Sequence, residues 1–224
     1  MSFEYLHADT RESAFALLAQ PGALPVAGGT DLVPCVEEGI SAPSRVVDIR
    51  RVPGLREIAA TPDGGLRIGA AVTVAELAAH PAVREKYPVL AEACAAVGTP
   101  ALRNAGTIGG NLVQRQHCWY FRRDVGCFKR GGQSCAAVEG EHQYHGISAD
   151  GICRAVHPSD PAVALLALDA RIEIASATAT RHVDVEALFA GAANDPAKEA
   201  QLAAGELIVA VALSAESAGG AQYW

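Results

Sequence analysis

The spacing of hydrophobic and polar residues along the chain predicts three helices. Residues 10–20 have amphipathic helical spacing, whereas residues 88–97 and 160–167 are apolar on most faces, as expected of buried helices. A further helix is predicted to begin at Thr73-Val74-Ala75-Glu76, because a threonine followed three residues later by a glutamate forms a capping box.

Short apolar or alternating segments predict six strands, at residues 24–27, 45–49, 66–70, 171–175, 181–185 and 206–213. The Pro53-Gly54 turn indicates a boundary near residue 55. We therefore expect one α/β unit over residues 1–55 and a second over residues 56–215, with the beginning of a further unit at 216–224. The fold class predicted from this order of elements is α+β.

Composition and charge narrow the classes of function. Of the 224 residues, 50% are hydrophobic and only 19% are charged, which indicates a folded globular protein. The formal net charge of −7 argues against nucleic acid as a partner. The apolar runs are too short for a membrane span, and the N-terminus does not resemble a secretory signal. We expect a cytoplasmic protein, or a periplasmic one that is exported together with a signal-bearing partner.

Two glycine turns are candidate phosphate-binding sites. The first glycine turn is Ala27-Gly28-Gly29-Thr30-Asp31-Leu32, and the second is Thr107-Ile108-Gly109-Gly110-Asn111. Glycine lets the backbone curl around a phosphate and offer its bare amides, and Thr30 adds a hydroxyl donor. Each segment alone is also compatible with an ordinary tight turn. In the second segment, Asn111 would then adopt a left-handed conformation. Neither segment matches the dinucleotide fingerprint or the Walker loop.

Four cysteines follow the second glycine turn within 36 residues: Cys118, Cys127, Cys135 and Cys153. In a chain without a signal, clustered cysteines are more typical of metal ligands than of disulfides. The gaps of eight, seven and seventeen residues contain no Cys-x-x-Cys pair, so spacing alone leaves iron–sulfur, zinc and disulfide interpretations open. A mixed zinc site is possible with the neighbouring histidines His117, His142, His145 and His157.

Taken together, these motifs resemble the FAD-binding medium subunit of the molybdenum hydroxylases, the xanthine dehydrogenase and aldehyde oxidoreductase family. The match comprises the two glycine turns, Arg103-Asn104 and His157-Pro158-Ser159-Asp160, in order along nearly the whole chain. The segment from Gly110 to Arg115 that leads to Cys118-Trp119-Tyr120-Phe121-Arg122 is similar to the branch with an inserted 4Fe–4S loop, as in periplasmic aldehyde oxidoreductases. We refer to residues 115–156 as the insert.

The resemblance implies a two-subdomain FAD-binding fold of the molybdopterin dehydrogenase/vanillyl-alcohol oxidase type, with specific residues at each cofactor. FAD would contact Ala27, Gly28, Gly29, Thr30, Asp31, Leu32, Thr107, Gly109, Gly110, Asn111, Asp160 and Ile208. Asp160 would accept hydrogen bonds from ribose or ribityl hydroxyls, although it is also a reasonable first residue of a helix. The 4Fe–4S ligands would be Cys118, Cys127, Cys135 and Cys153.

The function implied by the resemblance is electron transfer. The partners would be a molybdopterin-binding large subunit, which holds the substrate, a 2Fe–2S small subunit and an external electron acceptor. Family members continue into a C-terminal domain that also touches the flavin, and this domain is expected to be missing here. Three alternatives stay open: a zinc-stabilised interaction subunit, a flavin subunit similar to that of 4-hydroxybenzoyl-CoA reductase, and a self-contained flavin oxidase.

Overall fold

Two β-sheets organise the chain, and helices cover them. A computed structural model describes residues 2–123, 125–148, 151–191, 195 and 198–219. Its strands are β1 (Glu4–His7), β2 (Ala23–Val26), β3 (Arg45–Asp48), β4 (Ile58–Ala60), β5 (Leu66–Gly69), β6 (Arg171–Ala175), β7 (Thr180–Asp184) and β8 (Leu207–Leu213). Its helices are α1 (Arg11–Leu18), α2 (Leu32–Glu37), α3 (Val74–Ala79), α4 (Pro81–Lys86), α5 (Pro88–Ala96), α6 (Pro100–Ala105), α7 (Ile108–Leu112), α8 (Trp119–Arg122), α9 (Asp160–Ala167) and α10 (Val185–Phe189).

The first sheet is parallel, in the order β1-β3-β2. Helix α1 connects β1 to β2 and begins at Thr10, whose hydroxyl accepts from the Ser13 amide. Phe15 and Leu18 of α1 pack with Val47 of β3 in a small core. This arrangement explains why the amphipathic segment is a helix: its apolar face covers the sheet.

The second sheet is antiparallel, in the order β4-β5-β8-β6-β7. Its central strand β8 is buried on both faces, which explains a continuous apolar run rather than an alternating one. Leu207 and Val209 belong to the core of the first unit, whereas Ile208 and Val211 belong to the core under the helices. The pairing of β6 with β8 shifts register between Glu173 and Ile174, opposite Val209 of β8. Because of this shift, the alternation of β8 side chains between the two cores is interrupted.

Helix α3, the first helix that packs on the second sheet, begins at the predicted capping box. The Glu76 amide donates to Thr73 Oγ1 at 3.1 Å and the Thr73 amide donates to Glu76 Oε2 at 2.8 Å, which completes the capping box. Helix α5 begins with Pro88 and packs against α9, with Leu90 and Leu165 fully buried between them. The mainly apolar composition of these two helices therefore matches their burial.

The two units share apolar contacts at their junction. Strand β3 ends at Asp48 and β4 begins at Ile58, on either side of the proposed boundary near residue 55. Leu55 itself is fully buried and packs in the same cluster as Val209 of the second sheet. The boundary stays a prediction, and so does the unit at 216–224, where the structure shows a 3₁₀ turn at Ala215–Ser217 and residues 220–224 lie outside the described part.

The insert has little regular structure. Apart from α8, its described residues contain only two 3₁₀ turns, Phe128–Arg130 and Ala136–Val138. This agrees with a glycine-rich polar segment that contributes few side chains to the core. Within the described residues, no helix is long and apolar enough to cross a membrane.

Candidate functional site

The first glycine turn connects β2 to α2 with its backbone exposed toward a groove. A Cβ on Gly28 would meet the Ala105 carbonyl oxygen at the end of α6, and Gly29 has a φ of 72°. Both positions therefore require glycine, the first for close approach and the second for its left-handed conformation. The close approach brings the end of α6 against the turn.

Four consecutive amides of this turn are free to donate. The backbone N–H groups of Gly28, Gly29, Thr30 and Asp31 have no acceptor among the described residues. Successive unpaired amides in a turn form a concave set of donors, which suits a phosphate or another anion. This agrees with the expectation from the sequence for the first glycine turn.

The second glycine turn differs from the expectation. Residues 108–112 form helix α7, with Thr107 as its N-cap, so Asn111 is helical rather than left-handed. The amides of Ile108 and Gly109 donate to the carbonyls of Val72 and Ala70, and those of Gly110 and Asn111 donate to Thr107. The expectation of bare amides here is therefore wrong. Packing explains Gly109, because a Cβ would lie 2.8 Å from the Ala70 Cβ.

The two turns nevertheless line one groove, with a volume of about 580 Å³. It contains these residues of the predicted flavin site: Ala27, Gly28, Gly29, Thr30, Asp31, Leu32, Thr107, Gly110, Asn111 and Asp160. We call it the central groove. Two predicted residues do not line it: Gly109 is the buried residue of α7 that faces Ala70, and Ile208 is 4% exposed in the core on β8.

Several residues of the central groove were not assigned to the flavin site from the sequence. They are Cys35, Val97, Leu102, Gln114, Arg115, His117 and Pro158, among others. Arg103, which belongs to a recognised motif, instead holds the groove wall, since its Nη1 donates to the carbonyls of Val97 and Gly98. In the sequence, the motif Arg103-Asn104 was the local feature that pointed to this wall of the groove.

Asp31 connects the first glycine turn to the insert. Its Oδ2 accepts from the Arg115 amide at 3.1 Å, and its Oδ1 lies 3.5 Å from Arg122 Nη2. The carboxylate is thus neutralised by a guanidinium of α8. The geometry of the turn consequently depends on the position of the insert.

Asn111 is connected in a similar way to the motif that contains Asp160. Ser159 Oγ donates to Asn111 Oδ1 at 2.6 Å and accepts from the Ala162 amide at 3.1 Å, so Ser159 is the N-cap of α9. Asp160 is the first residue of that helix and lines the central groove. The helix-terminal role considered for Asp160 is confirmed, and a carboxylate there is favourable to the helix dipole.

Three of the four insert cysteines immediately precede short helical turns. Cys118 is the N-cap of α8, Cys127 precedes Phe128–Arg130, and Cys135 precedes Ala136–Val138. All four insert thiols are free. The amides at the beginning of a helical turn lack intrahelical partners, so they favour a thiolate placed before them.

Burial and nearby backbone amides shift the pKa values of these thiols in opposite directions. Burial raises the pKa of Cys118, while the backbone amides of Phe121 and Tyr120 oppose the rise. Burial also raises the pKa of Cys127 and of Cys153, against the nearby amides of Lys129 and Ala155 respectively. Electrostatic repulsion from neighbouring insert thiols adds to the rise in each of these three pKa values.

The histidines considered for a mixed zinc site are dispersed. His145 Nε2 lies 3.1 Å from Cys118 Sγ, but His117 lines the central groove and His142 Nδ1 contacts the Gly140 carbonyl. Among the described residues, no group of three or more His, Cys, Asp or Glu side chains is arranged to hold a metal ion. The amide donors and the free thiols fit a cluster chemically, although the arrangement of the thiols is more open than a ligand shell.

Comparisons with known proteins agree with this geometry. A family described as the FAD binding domain in molybdopterin dehydrogenase matches residues 1–214. The aldehyde oxidoreductase FAD-binding subunit PaoB of Escherichia coli (strain K12) is 41% identical over 217 residues, 95% of this chain and 68% of that protein. Subunit alpha of the 6-hydroxypseudooxynicotine dehydrogenase complex of Paenarthrobacter nicotinovorans is 44% identical over 50% of this chain and 38% of its own length.

Solved structures show the same fold. Quinoline 2-oxidoreductase from Pseudomonas putida 86 superposes with a TM-score of 0.69 at 25% identity, over 96% of this chain and 59% of that chain. Carbon monoxide dehydrogenase from Hydrogenophaga pseudoflava gives the same TM-score at 24% identity. This chain therefore spans less than two thirds of the solved chains that it matches.

Proposed function

This chain belongs to the family of FAD-binding domains in molybdopterin dehydrogenases, and we propose from this that it is an electron-transfer subunit holding FAD and a 4Fe–4S cluster. The complex would be a molybdenum-containing oxidoreductase of aldehydes or heteroaromatic compounds. The observation that carries the flavin assignment is the central groove, where the first glycine turn, Thr107, Asn111 and Asp160 meet.

The residues of the groove suit the parts of FAD. The four free amides from Gly28 to Asp31 would donate to the pyrophosphate, which carries the negative charge of the cofactor. Asp160, as a carboxylate at the groove surface, would accept from ribityl or ribose hydroxyls. When bound, the flavin supplies exchange between one-electron and two-electron carriers. In this proposal the chain binds and orients the cofactor and contributes no catalytic side chain.

The cluster assignment is supported by the chemistry of the insert. Cys118, Cys127, Cys135 and Cys153 would be the ligands. Soft thiolates are the ligands that iron–sulfur clusters select, and amides near the sulfurs stabilise the charge of the ligands. Amides approach Cys118, Cys127 and Cys153, and Cys135 also precedes a helical turn. The cluster would act either as a relay or as a clamp on the insert.

The names of the relatives support a multi-subunit complex. PaoB is named as an FAD-binding subunit of an aldehyde oxidoreductase, and other relatives as medium chains or complex subunits. We accordingly propose a molybdopterin-binding large subunit, a 2Fe–2S small subunit that delivers electrons, and an external acceptor. Isolated from them, the chain is expected to be inactive on substrate. The location would be cytoplasmic, or periplasmic through co-export with a signal-bearing partner.

The test is the visible spectrum of the chain purified without oxygen, before and after dithionite, together with its iron, zinc and FAD content. Flavin bands over a broad, bleachable cluster absorbance are expected. Cys127→Ser should lose iron, whereas Cys94→Ser, at a buried thiol outside the insert, should retain it. A colourless protein that contains zinc would support the zinc-stabilised interaction subunit and contradict the proposal.

A further inference from the structure

A second cavity, of about 470 Å³, is formed partly by the insert, including Cys153, and its lining shares no residue with that of the central groove. One side of it is apolar, formed by Val163 and Leu166 of α9 and by Phe189 of α10. The other side is polar and includes Gln116 and Glu199. We call it the rear cavity, and its size is in the range of ordinary small-molecule sites.

The same two chain segments line both cavities and lie between them. Gln116 and His157 line the rear cavity, whereas their chain neighbours Arg115, His117 and Pro158 line the central groove. The rear cavity is consequently back to back with the central groove and does not form an extension of it.

The polar side of the rear cavity has buried acceptors without donors. Gln116 is 6% exposed and Glu199 is 8% exposed. Gln116 Oε1 and His157 Nε2 have no hydrogen-bond partner among the described residues, whereas Glu199 Oε1 lies 3.5 Å from Arg115 Nε. A buried polar atom without a partner is costly, which indicates that a ligand or water supplies the missing donors.

The charges of this region are already compensated. Glu199 Oε2 lies 3.0 Å from Lys129 Nζ, with both side chains 4% exposed, and it also accepts from Gln116 Nε2 at 2.8 Å. Burial lowers the pKa of His157, so its ring is neutral at neutral pH. The ring also hydrogen-bonds the Leu112 backbone, and because Nε2 is the nitrogen without a partner, we assign the proton to Nδ1 and the acceptor role to Nε2. A neutral ligand that donates hydrogen bonds therefore fits better than an ion.

The apolar side favours a ring system. The rings of His157 and Phe189 are 4.6 Å apart at an angle of 48°, so they present tilted aromatic surfaces to the same space. Val163 and Leu166 are 65% and 50% exposed and form the outer edge of the cavity. A flat apolar body would shield them from water.

We propose that the rear cavity is a second small-molecule site for a neutral hydroxylated aromatic compound of the phenol, naphthol or hydroquinone class. A ligand hydroxyl donates to Gln116 Oε1 or to His157 Nε2, the two buried acceptors without a partner among the described residues. The ring lies between Phe189 and the α9 side chains. This site does not depend on the flavin assignment.

The experiment is isothermal titration calorimetry of the chain with 2-naphthol and with 2-methoxynaphthalene, which has the same rings but no donor. We expect 2-naphthol to bind at one site at least about tenfold more tightly, because only 2-naphthol satisfies a buried acceptor. Leu166→Trp should abolish binding by filling the cavity from its exposed edge. Phe3→Trp, at an exposed position of the first unit, is the matched control and should bind normally.

Other outcomes would overturn the proposal. Equal affinity for the two probes would mean that the buried acceptors are satisfied by water or by the protein. Displacement of 2-naphthol by added FAD would place the probe in the central groove. Since FAD binding is measured separately, a chain that binds 2-naphthol but no FAD would contradict the proposed function and leave this inference standing.

Discussion

Arg122 Nη2 lies 3.5 Å from Asp31 Oδ1, and this ion pair joins the insert to the first glycine turn. The same guanidinium reaches Glu38 Oε2 at 3.2 Å and donates from Nε to the Gln116 carbonyl at 2.9 Å. Arg122 is 17% exposed, so solvent screens these contacts only in part. The insert that carries the cysteines and the turn proposed to hold pyrophosphate are therefore mechanically coupled.

Arg122→Gln is expected to lower both the free energy of unfolding and the affinity for FAD. The substitution removes a charged donor from Asp31 and Glu38, which costs about 1–3 kcal/mol when such groups are partly buried. Urea unfolding and equilibrium dialysis against FAD would measure the two effects. Arg123→Gln, at the exposed neighbouring arginine, is the control. Identical behaviour of the two variants would contradict the coupling.

Gly28→Ala is expected to distort the first glycine turn. The new Cβ would clash with the backbone carbonyl of Ala105, so either the turn or α6 must move. Overpacking of this kind costs about 1–3 kcal/mol, and movement of the turn should also release FAD. Gly146→Ala is the matched control, because its nearest atoms are 3.6 Å away and its backbone is not left-handed. Normal FAD binding by Gly28→Ala would show that the close approach is unimportant.

The stability of the first unit should depend on pH through Asp48. Hydrogen bonds from the Arg50 guanidinium and amide hold the pKa of the buried Asp48 carboxyl well below its usual range. The unfolded chain binds a proton more readily, since its aspartate pKa is about 3.9. The contribution of Asp48 is therefore complete above that pH and is lost as the pH falls toward the lower pKa of the folded state.

Asp48→Asn tests this dependence. Near neutral pH the variant should be about 1–3 kcal/mol less stable, and the difference from the original chain should shrink in acid below about pH 4. Urea unfolding across a pH series would measure it, with Asp9→Asn at an exposed site as the control. A difference that stays constant in acid would exclude Asp48 as the titrating group.

Ser159→Ala is expected to weaken both α9 and the central groove. Loss of an N-cap costs about 1 kcal/mol, and Asn111 Oδ1 also loses its hydrogen bond from Ser159. Thr10→Ala removes the N-cap of α1, in the first unit, and should reduce stability without changing FAD affinity. Calorimetric FAD titration of both variants separates the cap from the groove. Equal FAD affinities would mean that Ser159 acts only as a cap.

Much of the fold could be predicted because long elements have strong local patterns. Helix α9 and strand β6 have the predicted bounds, and the capping box at Thr73 is confirmed. The elements that were not predicted are short, three to six residues each, and they include α2, α6 and α7. In α7 the helix contains Gly109 and Gly110, which are poor helix formers, so its tertiary hydrogen bonds to Ala70 and Val72 override propensity.

The sequence by itself determined which chemical groups are present and their order along the chain. The glycine turns, the four cysteines and the segment at Asp160 are local motifs, and their order was sufficient to indicate the family. Local periodicity and capping also predicted six of the eight strands and four of the ten helices of the described residues, because those signals depend on neighbours within a few residues.

Only the tertiary structure decided which groups meet. Asp31 and the Arg115 amide are 84 residues apart in sequence, and Gln116 and Glu199 are 83 apart. The structure also separated Ile208 from the central groove, satisfied the amides of α7, and formed the rear cavity from segments with no common motif. Such contacts depend on how the two sheets and their helices pack, and local sequence patterns do not encode the distances between distant segments.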